Sequence, residues 1–122
     1  MSNYDALVDR YIAIWNEADA AQRRRLIAET WSEDARYVDP MMRGEGHDGI
    51  DALVRGVQAK FPGLRFSRKG QAEMVEGCLR FSWLLGPEDG EALAGGTDFA
   101  SVVDGRLRSV TGFIDFAPAM AA

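Results

Sequence analysis

LRFSRKGQAEMVEGCLRFSWLLGPEDGEALAGGTDFASVVDGRLRSVTGFIDF, residues 64–116, is the stretch that decides the fold. Strand-forming runs recur through it, separated by turn residues. Leu64 to Lys69 reads as a strand, and Gln71 to Val75 continues it or begins the next. Glu76-Gly77 is a turn. Cys78 to Leu85 is strand-like and is followed by the turn Gly86-Pro87-Glu88-Asp89-Gly90. Glu91 to Val103 is a further strand, bulged at Gly95-Gly96. Asp104-Gly105 is a hairpin signal, because both positions of a tight turn favour residues that tolerate positive φ. Arg106 to Phe116 is the last strand, and the tail from Ala117 is expected to be disordered.

Upstream the period changes from two to about 3.6. Tyr4, Leu7, Val8, Tyr11, Ile12 and Trp15 form the stripe of an amphipathic helix over 4–18, and Ser2 with Asp5 has the spacing of a capping box. Asn16 to Asp19 is a break. Asp19 with Gln22 starts a second helix over 20–31, with Leu26, Ile27 and Trp31 as its apolar face. Ala35 to Asp39 is a short strand that Pro40 ends. Met41 to Gly49 is a loop. Ile50, Leu53, Val54, Val57 and Phe61 mark a third helix over 49–61, stopped by Pro62-Gly63. Helices first and hairpin-linked strands afterwards imply an α+β fold with an antiparallel sheet rather than βαβ repeats.

The chain has 122 residues, 47% hydrophobic and 27% charged, which suits a single soluble domain with its own core. Its net charge of −5 disfavours nucleic acid and anionic membrane as partners. Arg23-Arg24-Arg25, the main basic run, reads as a solvated helix face. With one cysteine, Cys78, and one histidine, His47, neither an internal disulfide nor a Cys/His zinc site is expected. Cys78 reads as a small apolar filler beside a turn. The N-terminus lacks a signal-peptide pattern and no apolar run reaches membrane-spanning length, so a cytoplasmic protein is expected.

Large apolar residues fall on both faces of the strands. Phe81, Trp83 and Leu85 are read on one face, with Leu79 and Leu84 on the other. Val110, Ile114 and Phe116 alternate with Phe113. Three short helices cover one face. A second copy of the chain is the expected cover for the other, through Phe99, Thr111 and Phe113.

No nucleophile elbow, P-loop, dinucleotide fingerprint or HExxH motif occurs. The informative residues are carboxylates in apolar company: Asp39 before Pro40, Asp98 in mid-strand, and Asp115 between Ile114 and Phe116. Burial favours the neutral form of a carboxyl group and moves it toward acid–base work near neutral pH. The alternative for each is to face solvent or to cap a backbone donor. Tyr11 needs a hydrogen-bond partner if buried, which makes it either a pocket donor or a plain core residue. Trp15, Tyr37, Phe61 and the other aromatic side chains are core or pocket wall. His47 is either a mobile loop residue or a lid.

RYIAIWNEAD (10–19), WSEDARYVDP (31–40), GIDALV (49–54) with FPG after it, and TDFASVVDGRLRSVTGF (97–113) together resemble the nuclear transport factor 2-like superfamily, and within it the SnoaL-like proteins. The resemblance runs from residue 4 to residue 116. It implies a cone-shaped, curved antiparallel sheet covered by three N-terminal helices, enclosing a pocket and often dimeric through the outer sheet face. Ketosteroid isomerase, polyketide cyclases, scytalone dehydratase and limonene epoxide hydrolase share that fold. The similarity to ketosteroid isomerase places its Tyr on Tyr11, its strand-ending Asp on Asp39 and its second Asp near Asp98. It also implies Phe81, Trp83, Ala100, Val110 and Gly112 on the pocket face. The Arg that closely flanks the strand Asp of the epoxide hydrolase is missing, because position 96 is Gly.

Two functions follow. One is an isomerase, cyclase or dehydratase working without metal or organic cofactor. In it, Asp39 or Asp98 moves a proton beside the carbonyl of a small apolar compound, and Tyr11 steadies the oxyanion. The other is a non-catalytic ligand-binding or dimerisation domain of the same fold. Trp15, Tyr37, Phe61, Phe81, Trp83 and Val110 are the expected lining of the ligand site, with His47 as its candidate lid; in the second reading the cone either binds a ligand or is filled by side chains.

Overall fold

Asp19 begins the second helix as the sequence requires: its carboxylate accepts from the Gln22 N–H at 2.9 Å, satisfying one of the helix's free donors. In the computed structural model, which describes residues 3–118, three helices precede and interrupt six strands. They are α1 (Asn3–Asn16), α2 (Ala20–Thr30), β1 (Trp31–Val38), β2 (Arg43–Glu45), α3 (Gly46–Lys60), β3 (Leu64–Val75), β4 (Cys78–Pro87), β5 (Ala94–Val103) and β6 (Arg106–Phe116). Ser2 of the expected capping box and the tail beyond Pro118 lie outside the described residues.

The strands form one curved, unclosed sheet in the order β2-β1-β6-β5-β4-β3. From β3 to β6 every neighbour is antiparallel, joined by hairpins. Glu76 (φ 45°) with Gly77 (φ 81°) and Asp104 (φ 53°) with Gly105 (φ 77°) supply the paired positive φ angles of tight turns. The expected bulge falls between Gly95 and Gly96. A second one, at Gly70 (φ 71°), bends β3 without dividing it.

The sheet is mixed, which corrects the fully antiparallel expectation. β1 runs parallel to β6, pairing Tyr37 with Val110. No hairpin links these two strands, so no turn residue could report their direction. β1 also begins earlier than read, at Trp31, and continues α2 without a linker. Part of the expected 41–49 loop is the three-residue strand β2 and the first turn of α3.

Three other readings are corrected. Leu79 lies on the inner face with Phe81, as its odd position dictates, and both are buried. Cys78 is exposed rather than packed. Arg23 is not solvated: it is 2% exposed, and its Nε donates to Asp51 Oδ1 at 2.6 Å. The same guanidinium donates to the Glu17 carbonyl at 2.9 Å. Gln58 Nε2 bonds the carbonyls of Trp15 and Glu17, so the end of α1 is satisfied by side chains from α2 and α3. Asn16 completes the docking of α1, bonding both the N–H and the carbonyl of Phe66 on the sheet edge at 2.8 Å.

A buried ion pair is costly to break because the surviving charge stays desolvated. Arg23→Met should therefore lower unfolding free energy by about 3–5 kcal/mol in urea titrations, with Asp51→Leu similar. The double variant should lose clearly less than the sum.

Candidate functional site

Between the helices and the inner sheet face is a cavity of about 330 Å³. Its wall is apolar and largely aromatic, with Trp15, Phe61, Phe66 and Trp83 beside Met41, Met42 and Ile114. Trp15 packs against Tyr37 (5.5 Å between ring centres) and Phe66 (5.8 Å), and Phe66 packs against Trp83 (5.3 Å).

Asp98 sits at the floor, 1% exposed. Strand register explains its surroundings. Trp83 on β4 faces Gly96 on β5, and a Cβ there would collide with the indole ring within 3 Å. The missing side chain lets the indole lie across β5, where its Nε1 donates to Asp98 Oδ1 at 3.0 Å. The Tyr11 hydroxyl on α1 donates to Oδ2 at 2.7 Å. On the other flank Asp98 pairs with Gly112 of β6, where a Cβ would approach Oδ1 to 2.9 Å and Asp39 Cβ to 3.3 Å. Gly112 thus leaves the room in which the two carboxylates approach each other.

Asp39 follows β1 near the cavity rim. Its Oδ1 accepts from the N–H groups of Met41 (2.8 Å) and Met42 (2.9 Å), and its Oδ2 accepts from the Tyr37 hydroxyl at 2.7 Å. Its carboxylate therefore lines the cavity and also caps the Met41-Met42 turn.

Burial pushes the Asp98 carboxyl up to about 6, with the nearby Asp39 adding to the shift and the bonds from Tyr11 and Trp83 opposing it. Burial, then the Asp98 charge, hold the Tyr11 hydroxyl well above its usual range. The same causes, with Asp39 as a further one, raise Tyr37.

Asp39, Asp98, Tyr11, Trp15, Tyr37, Phe61 and Trp83 all line this cavity. Phe81, Val110 and His47 do not. Phe81 is sealed beneath Tyr11, 5.0 Å between ring centres, and Val110 is packed in the core. His47 lies in the first turn of α3, and its Nε2 is 3.0 Å from the carbonyls of Trp31 and Ser32 at the start of β1. Asp115 is exposed and accepts from Thr97 Oγ1. Sequence reasoning missed Met41, Met42, Leu93 and Ile114 as lining. Only Ile114 left a signal, its shared parity with Val110. No cluster of His, Cys, Asp and Glu suited to a metal ion occurs among the described residues.

The model of the SnoaL-like domain matches residues 8–110. The chain belongs to the SnoaL-like family. A SnoaL-like protein of Agrobacterium tumefaciens, named as a candidate isomerase, is 43% identical over 95% of this chain and 100% of its own, with a TM-score of 0.89. A candidate ketosteroid isomerase from Kribbella flavida (23% identity, 92% and 77% covered, TM-score 0.68) and a candidate polyketide cyclase from Sinorhizobium meliloti (16%, 92% and 99%, 0.68) share the fold. No curated protein matches the chain.

The raised Asp98 value has a stability consequence. The folded state binds this proton more tightly than the unfolded chain between the ordinary value of 3.8 and about 6. Asp98 therefore favours folding most below that window, and the contribution is lost as pH rises through it. The stability difference between wild type and Asp98→Asn should shift against wild type by about 3 kcal/mol from below pH 4 to neutral, read from urea midpoints.

Proposed function

We propose that the cavity holds a small, mostly apolar carbonyl compound and that Asp98 moves a proton beside the carbonyl, in an isomerase- or cyclase-type reaction without a cofactor. The observation that carries this reading is Asp98 itself, fully buried at the floor of an apolar cavity with a near-neutral pKa. A base so tuned takes a proton from carbon and can return it near neutral pH. On taking the proton, Asp98 loses its charge and needs its donors less. Tyr11 and Trp83, which hold it at 2.7 and 3.0 Å, can then turn toward the enolate oxygen. Asp39 shapes the rim and raises the Asp98 value.

One observation favours a ligand-binding domain instead. The hydroxyls of Tyr11 and Tyr37 and the indole N–H of Trp83 are all donated to carboxylates. Exchange of α-hydrogens separates the readings. Small cyclic and aryl ketones incubated in D₂O should exchange faster with the protein, followed by proton NMR. Asp98→Asn should cut the catalysed rate by about two to four powers of ten, and Asp39→Asn by less. Ligand binding with no catalysed exchange would support the binding domain.

A cytoplasmic homodimer completes the proposal. No helix among the described residues is long and apolar enough to cross a membrane. On the outer sheet face Phe99 and Phe113 pack edge to face at 5.7 Å, yet remain 39% and 52% exposed, with exposed Thr111 opposite Phe99. Covering them removes apolar surface from water. Sedimentation at micromolar concentration should show a dimer that Phe113→Asp dissociates.

A further inference from the structure

The carboxylates of this protein are matched with cations at several sites outside the cavity. Buried Asp51 has Arg23 at 2.6 Å, Arg55 at 3.3 Å and Arg24 at 3.6 Å. On the surface Arg108 pairs with Asp34, Arg80 with Glu73 and Arg68 with Asp5. The cavity differs. The donors that hold Asp39 and Asp98 are hydroxyls, backbone N–H groups and an indole, all neutral. Among the described residues no Lys, Arg or His lines the space. Two carboxylates thus share an apolar chamber to which the described residues bring no positive charge. Beside them stand the rings of Trp15, Tyr37, Phe66 and Trp83, whose π faces attract cations.

We propose that the cavity selects a small apolar molecule carrying a positive charge, an amine or quaternary ammonium group, so that its substrate class is the amino ketone rather than the neutral ketone. The cation site rests on the reading above only in placing the ligand in this cavity, and the amino ketone as substrate rests on its proton transfer as well. The cation supplies the counter-charge that the wall lacks, and its alkyl or aryl body fills the aromatic part. In an amino ketone the positive charge also draws electrons from the neighbouring C–H and eases its ionisation.

Two probes of nearly one shape test this. Benzyltrimethylammonium is a permanent cation, and phenyl tert-butyl ketone is a neutral carbonyl compound of similar size. Titrated calorimetrically into the intact protein at neutral pH, the cation should bind at least about tenfold more tightly. The preference should shrink severalfold at about pH 5, because the probe's charge is fixed and the protein's is not. The groups facing Asp98 are Tyr11 from α1, Trp83 from β4, and Tyr37 and Asp39 at the end of β1, while exposed Asp115 on β6 acts on it only through its charge. Of these the tyrosines are held above their usual range, and Asp98 is the group raised into this window, so the loss reports Asp98. Asp39→Asn should reduce the preference even if Asp98→Asn fails to fold. Equal or tighter binding of the ketone would overturn the inference while leaving proton transfer intact. Binding of neither probe would also overturn it. Cation preference without α-hydrogen exchange would uphold the cation site and overturn both the amino ketone as substrate and the catalytic reading.

Discussion

The carboxylate of Asp98 is the constraint on which the rest of the site depends. A buried charge must find hydrogen bonds, and here they come from α1 and β4, two elements far apart in sequence. Tyr11 is thereby held against the sheet and Trp83 is laid across β5. The two glycines beside them, Gly96 and Gly112, follow from the same demand: the first makes room for the indole and the second for the carboxylate. The cavity exists because these positions carry no side chain while the rings around them are large.

Two buried aspartates are treated in opposite ways. Asp51 is neutralised by arginines where helices meet, and it joins parts of the scaffold. Among the described residues Asp98 is given only neutral donors, and burial raises its proton affinity. The contrast separates a structural carboxylate from one kept in an unsettled state of protonation. Such a group weakens the fold near neutral pH, a cost that natural proteins tend to carry at functional sites.

The elements that sequence made legible were those whose signal is local. Glu76-Gly77 and Asp104-Gly105 announce their turns because positive φ is expensive for most residues. Asp19 announces α2 through its own hydrogen bond. The direction of β1 against β6 was not legible, since that pairing rests on contacts between the start and the end of the chain. Arg23 was misread for the same reason: its partner Asp51 lies in another helix. At the site, charge in an apolar setting pointed to Asp39 and Asp98. No pattern along the chain could show that Phe81 is covered by Tyr11, or that His47 faces the carbonyls of β1.

An unclosed sheet has two edges, and each is a template on which another strand could assemble. The edge strand β2 is only three residues long. The opposite edge, β3, is kinked at Gly70 and sets out Arg65, Lys69 and Glu73 toward water. At Phe66 its backbone groups are occupied by the Asn16 amide. Neither rim offers a long, flat, bare ladder. The residues that fasten α1 to the sheet therefore also guard the chain against running together into fibres.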